Sequence, residues 1–467
     1  MQNGSIKQYN IVKQNYTNEE KLLLSEIRSQ LVDLAISSNE NFQVSEERVL
    51  KDIKNFLRNR LNTQNKEYIE NLSQKFLRDI IGYGEIDPLI QDDDLEEIMI
   101  IGTDKPVFVY HRQYGMMKTN LKFSDEKKLM DLIDSIARQI NRRIDQESPI
   151  LDGRLVDGSR INATIPPVSA DGPSLTIRKF KKDPLTIIDL INSKTLTTEL
   201  AGFLWLCIDG FGVKSANAII SGGTSSGKTT TLNALSALIN PKERIITIED
   251  TLELQIPHEH VIRMESRPSN VENKGELTMN DLVKNSLRQR PDRIIVGEVR
   301  ADEAITLFTA LNTGHSGFGT LHSNSARETI TRLTNPPMSV PKIMTQAIDF
   351  IIMQNRIYTP SGVSYRRISE VAEVVGIEEG TVQLNKIFQW NPEIDTIENV
   401  SVTSNTLVQI ANLSGSSLNE LYNEIKNREL VLNHMIKHNI RSVSEVNSVV
   451  EFYYKSPDEV LERIPGD

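Results

Sequence analysis

Apolar residues recur along this chain in three distinct rhythms. Between residues 17 and 82 they return every three or four places. Leu22, Leu23, Leu24, Ile27 and Leu31 form one set; Val49, Ile53, Phe56, Leu57 and Leu61 form a second; a third closes on Ile80 and Ile81. That period predicts amphipathic helices. Thr17-Asn18-Glu19-Glu20 reads as a capping box before the first helix, and Gly82 suits the stop of the third. Between 83 and 180 the apolar runs shorten. Ile98–Ile101 and Val107–Tyr110 read as strands flanking the turn formers Gly102-Thr103-Asp104-Lys105-Pro106. A helix is expected from Asp125 to Arg142, with short strands at 161–165 and 175–177. Together these predict a small α/β domain.

From 190 to 395 the apolar runs are continuous: Ala218–Ile220, Arg244–Ile248, Arg293–Val296 and Phe318–Leu321. Unbroken apolarity marks strands buried on both faces, and helical stretches between them mark crossovers, so a mainly parallel sheet is expected. Beyond 396, Ser417 with Glu420 and Ser442 with Glu445 form capping boxes that open further helices. Lys179-Phe180-Lys181-Lys182-Asp183-Pro184 is charged and stops on proline, the make-up of a linker. The expected organisation is a helical N-terminal region (1–82), a small α/β domain (83–180), a linker (181–189), a parallel α/β domain (190–395) and a helical C-terminal appendage (396–467). No long repeat or low-complexity tract interrupts it.

Composition narrows the class. At 467 residues, 38% hydrophobic and 25% charged, the chain is ordinary globular protein and long enough for two or three cores. A net charge of −10 disfavours a nucleic-acid coat, and no direct nucleic-acid partner is expected. The single cysteine, Cys207, lies in an apolar run, which excludes an internal disulfide and any cysteine-based metal site. Met1-Gln2-Asn3-Gly4-Ser5 has no basic start before an apolar stretch, and no run approaches 18 apolar residues. The expected location is cytoplasmic, with membrane association only through a partner.

The chemistry concentrates in one motif. Gly222-Gly223-Thr224-Ser225-Ser226-Gly227-Lys228-Thr229 is a complete phosphate loop, set between the run Ala218–Ile220 and a helical stretch from Thr230 to Ile239. Loop N–H groups and the helix N-terminus would receive phosphate oxygens; Lys228 would reach the β- and γ-phosphates and the Thr229 hydroxyl would ligate Mg²⁺. ATP and Mg²⁺ are the expected cofactors. Glu298 follows the run Arg293–Val296, where a parallel strand delivers side chains to the ligand crevice, and is the first choice for polarising the attacking water. Glu249, at an equivalent strand end, is expected either to hold Mg²⁺ through water or to share the base role. His315 and His322 bracket a strand in a glycine-rich segment and suit a γ-phosphate sensor or a hydrogen-bond donor to Glu298. Arg154 and Arg160 flank a hairpin-like turn, and Arg178 follows on a strand. The planar arginine fork suits phosphate.

In order along the chain, several segments carry a resemblance: Gly82-Tyr83-Gly84 with Asp87-Pro88-Leu89, Arg142-Arg143-Ile144-Asp145, 152–162, Thr176–Phe180, the phosphate loop, Thr247-Ile248-Glu249-Asp250, 290–300, and His315 to His322. From about 82 to 389 the chain resembles the ATPases that power type II secretion, type IV pili and type IV secretion, the CpaF-type Tad pilus ATPases above all. The resemblance implies a PAS-like domain joined to a RecA-like ATPase domain, a homo-hexameric ring, nucleotide bound between the domains, and work on an inner-membrane platform protein. It implies that Thr230 joins the nucleotide site, that Glu298 is the catalytic carboxylate of an atypical Walker B motif and can face the metal, and that Glu249 supports it from the family's Asp box. His315 and His322 match the His box, Arg154 and Arg160 the arginine fingers that act across a subunit boundary, and Arg178 an arginine near the nucleotide. Ser225 stands where many relatives carry glycine, a strain if the position needs positive φ. The four-cysteine zinc module of the type II branch is absent. A conjugation-type ATPase, a nucleotide-switched scaffold with little turnover and a small-molecule kinase are the alternatives.

Overall fold

The structure is a computed structural model that describes residues 6–11, 16–37, 46–61, 65–180, 183–269, 274–358, 364–401 and 403–464. It divides into two compact units, Met1–Lys181 and Lys182–Asp467. Lys181 and Lys182, which open the expected linker, lie outside the described residues, as do residues 1–5.

In the first unit, the helical periodicity gives α1 (Asn18–Ser37), α2 (Glu46–Arg60) and α3 (Lys66–Ile81). The Thr17 capping box forms as read, with Thr17 N–H on Glu20 and Glu20 N–H on the Thr17 hydroxyl. Leu23, Leu24, Ile27, Ile53, Leu57 and Phe76 close a small core of their own, while Leu22 points to solvent; the side chain of Leu31 lies outside the described residues. A strand β1 (Lys7–Tyr9) precedes these helices where no strand was expected, and joins the sheet in parallel with β4. After the short α4 (Asp87–Gln91) come β2 (Leu95–Ile101), β3 (Pro106–His111), β4 (Gly115–Lys122), α5 (Glu126–Gln139), β5 (Ile150–Arg154), β6 (Arg160–Thr164) and β7 (Ser174–Arg178). They form a seven-stranded sheet in the order β1-β4-β3-β2-β7-β6-β5. Helix α5 stops three residues before the expected Arg142, because Asn141 takes a left-handed conformation (φ 53°). Its Leu129, Ile133 and Ile136 pack with Ile98, Val107, Ile161 and Ile177.

The second unit opens with α6 (Ile187–Asn192) and α7 (Thr198–Asp209). The continuous runs then give β8 (Ala218–Ser221), α8 (Lys228–Ser236), β9 (Ile245–Glu249), β10 (Val261–Glu265), α9 (Met279–Ser286), β11 (Arg293–Val296), α10 (Glu303–Asn312), β12 (Ser316–Leu321) and α11 (Ala326–Thr334). Strands β8, β9 and β11 are buried at every position. The order β10-β9-β11-β12-β8-β13 is parallel throughout. Beyond it, β13 (Phe350–Tyr358), β14 (Ser364–Glu378), β15 (Thr381–Asn391) and β16 (Thr396–Asn399) continue the sheet antiparallel. Helices α12 (Asn405–Ser414), α13 (Leu418–Lys437), α14 (Val443–Lys455) and α15 (Pro457–Glu462) close the unit; both expected capping boxes form. They share one core with the sheet: Leu407, Val431, Leu432 and Val450 lie in the same cluster as Leu204, Leu235 and Phe350. Among the described residues no helix is long and apolar enough to cross a membrane.

Candidate active site

Strand β8 delivers the phosphate loop to the carboxyl edge of the parallel sheet, and α8 begins at Lys228. Two glycines are dictated by space and conformation. A Cβ on Gly222 would stand 2.0 Å from the Gln354 carbonyl oxygen, and Gly227 enters the helix at φ 97°. Ser225 is left-handed at φ 58°, so the position does require what glycine supplies freely. Arg366 on β14 donates to its carbonyl oxygen at 3.4 Å. Thr224 and Ser225 are exposed at the loop tip; Gly223, Thr229 and Thr230 are partly buried. Among the described residues, the buried Ser226 hydroxyl has no hydrogen-bond partner, and neither has Oε1 of Gln354 beneath the loop.

Lys228 is buried and bends back over the loop, donating to the carbonyls of Gly222 at 3.1 Å and Gly223 at 3.0 Å. Burial lowers its affinity for the proton. From there a row of charged groups follows the strand ends. The parallel register sets Ser221 beside Leu321, Gly319 beside Val296, and Val296 beside Ile248, so loop, His322, Glu298 and Glu249 all emerge on one edge. Lys228 Nζ stands 3.4 Å from His322 Nε2, which stands 3.4 Å from Glu298 Oε1. Glu298 Oε2 accepts from Arg300 at 2.6 Å, and Arg300 reaches Asp250 at 3.4 Å. Burial, then the Lys228 charge, push the His322 imidazole down, so it is neutral at pH 7.

Glu249 is set deeper than a solvated strand-end carboxylate. It is 2% exposed. Its Oε2 accepts from the backbone N–H groups of Glu253 at 2.7 Å and Leu254 at 2.9 Å, anchoring the loop after β9, while buried Oε1 meets no hydrogen-bond partner among the described residues. Burial pushes its carboxyl up against those two hydrogen bonds. The two expected histidines part company. His315 lies at the opposite end of β12, its Nδ1 against the Ala310 carbonyl at 3.2 Å. Seven residues of extended chain separate it from His322, about 20 Å at a strand's rise per residue. It therefore does not join Glu298, contrary to the expectation drawn from the sequence.

In the first unit the three arginines line up. Arg154 is paired with Arg160 across β5 and β6, and Arg160 with Arg178 across β6 and β7. Directly opposed residues share a face, so the guanidinium groups form a row on the face away from Ile161 and Ile177. Glu97 on β2 ends the row beside Arg178. Asp157 shapes the turn between β5 and β6 by accepting from the Ser159 N–H at 2.9 Å and from its hydroxyl at 2.8 Å. Sequence reasoning missed Asp250, Gln354 and Arg366 as site residues, and passed over Arg300 although it stands two places from Glu298. A glutamine directly after the apolar run Phe350–Met353 was the local signal for Gln354.

A parallel sheet, a phosphate loop between strand and helix, and an acidic strand end across the crevice define a phosphate-loop ATPase of RecA-like fold. Residues 81–442 match the family model described as Type II/IV secretion system protein, and the chain belongs to that family. An uncharacterized protein of Methanocaldococcus jannaschii, MJ0781, is 33% identical over 85% of this chain and 79% of its own length. The conjugal transfer protein TrbB of Rhizobium radiobacter is 32% identical over 63% of this chain and 88% of its own. Among solved structures, the VirB11 ATPase from the type IV secretion system of Brucella suis, in complex with sulphate, is 26% identical and covers 61% of this chain and 91% of its own, with a TM-score of 0.31.

Proposed function

We propose that the protein hydrolyses ATP to drive a pilus or secretion machine, of the Tad type in the first reading. In that reading it works as a homo-hexamer at the cytoplasmic face of the membrane, on an inner-membrane platform protein. The observation that carries the hydrolytic reading is the unbroken row Lys228, His322, Glu298 on the edge where the phosphate loop opens. Loop N–H groups and Lys228 hold the phosphates, and Glu298 Oε1, on the Lys228 side, takes the proton of an attacking water. Neutral His322 donates a hydrogen bond to γ-phosphate or to Glu298. Arg154 and Arg160 neutralise developing charge from a neighbouring subunit, and Arg178 contacts nucleotide. The donors that fit Mg²⁺ are the Thr229 hydroxyl and the partnerless Oε1 of Glu249, with Glu298 nearby. Among the described residues no group of three or more His, Cys, Asp or Glu side chains could hold a metal ion. When bound, Mg²⁺ would offset phosphate charge.

A second reading, a conjugation-type secretion ATPase, is favoured by the name of the TrbB relative. Both share one test. Lys228→Ala should abolish phosphate release and weaken nucleotide binding. Glu298→Gln should bind ATP yet lose at least ~10²-fold in turnover, the lower range for a lost base. Wild-type turnover in both variants would reject the site. Stimulation by a co-reconstituted pilus platform protein, but not by a conjugation channel, would separate the two machines.

A further inference from the structure

We propose that Arg300 is the positioning residue of the Glu298 carboxylate, anchored in turn by Asp250. This rests on Glu298 being the group that polarises water. The backbone around Glu298 is fixed: Gly297 N–H donates to Ile248 at 2.9 Å and Val299 N–H to Thr320 at 2.8 Å. The side chain is another matter. A glutamate has three rotatable bonds, and a free carboxylate at a strand end samples many positions. Here both oxygens are assigned. Arg300 Nη2 takes Oε2 at 2.6 Å, which leaves Oε1 on the side of His322 and Lys228.

Beyond Glu298, Arg300 is itself held at two points. Its N–H donates to the buried carboxylate of Glu303, and the same oxygen accepts from Ala301 N–H at 2.9 Å. Its Nη1 reaches Asp250 Oδ2 at 3.4 Å. Asp250 accepts from the Ser266 hydroxyl at 2.8 Å through its other oxygen. The planar fork of arginine spans two carboxylates in one fixed geometry, which a lysine cannot reproduce. The Arg300 side chain is 60% exposed, so it does not hold up a core. Asp250 belongs to the loop after β9 and Glu298 to the loop after β11, and Arg300 bridges them. The site thus has a clamp that selects which carboxylate oxygen faces the phosphate side.

The test is steady-state ATP hydrolysis together with fluorescent-ATP binding on the full-length chain. Arg300→Ala should lower kcat by about 10- to 100-fold, the order of a lost charge-assisted hydrogen bond. KM, nucleotide affinity and melting temperature should stay near wild type. Arg300→Lys should recover part of kcat. Asp250→Asn should lose less than Arg300→Ala, and should add nothing in an Arg300→Ala background, because it acts only through Arg300. Unchanged or raised kcat in Arg300→Ala overturns the proposal, and so does a loss of affinity in step with kcat. An Arg300→Lys variant as slow as Arg300→Ala, or additive losses in the double variant, also count against it. A wild-type chain that releases no phosphate would instead overturn the reading of Glu298 and the clamp with it.

Discussion

At the scale of single residues, the site divides into what short motifs reveal and what only the strand order reveals. Lys228, Thr229, Glu298 and His322 were legible because each is fixed by its neighbours in sequence: a loop before a helix, or the residue just past an apolar run. Arg300 to Asp250 was not legible, since the two are joined by sheet register across 50 positions. His315 misled for a related reason, because proximity in sequence along a strand is separation in space. Ser225 is the clearest residue-level case. Its φ of 58° costs about 1–2 kcal/mol for an L-residue, and glycine would trade that for roughly 0.5–1 kcal/mol of chain entropy. Ser225→Gly is therefore expected to raise unfolding stability by up to about 1 kcal/mol in a urea titration. A lower midpoint would mean that the Arg366 contact and the serine side chain outweigh the strain.

At the scale of elements, continuous apolar strands were easy to read and the antiparallel extension was not. Strands β14 and β15 mix buried and half-exposed positions, so no run stands out, and their pairing is set by long-range register. The C-terminal helices were read as an appendage because capping boxes reveal where a helix starts, not what it covers. What α13 covers is α7, around a buried ion pair. Arg428 is 3% exposed and donates to Asp209 at 2.9 Å and Glu424 at 2.9 Å, above the Trp205 ring. Asp209→Ala strands that cation in the core and should cost about 3 kcal/mol, the low end for a broken buried pair because Glu424 remains. A change within ~0.5 kcal/mol in calorimetry or urea unfolding would show the pair contributes little. A second pair ties β14 to the turn before β16. The Arg367 hydrogen bond holds the Asp395 carboxyl down at about 2. An acid depressed in the folded state stabilises above its unfolded value, ~3.9, and loses that contribution as pH falls through its folded one. Asp395→Asn should thus be less stable than wild type at pH 5, with the gap closing between pH 4 and 2. A gap that stays constant over that range would refute the assignment.

At the scale of the whole molecule, the row Arg154, Arg160, Arg178 belongs to the first unit and the phosphate loop to the second. The three arginines stand directly opposed on neighbouring strands, with Glu97 beside Arg178. If Arg160 serves the site of a neighbouring subunit, Arg160→Ala and Lys228→Ala are each inactive for a different half of the same interface. Mixed rings then contain some interfaces where an intact Arg160 meets an intact Lys228. ATPase rate against mixing ratio should peak near equal proportions, with subunit exchange followed separately by fluorescence transfer. An arginine acting within its own subunit also restores nothing at a Lys228→Ala site, and it leaves every Arg160→Ala site broken as well. A flat baseline in rings that demonstrably exchange would therefore reject the arginine finger acting between subunits.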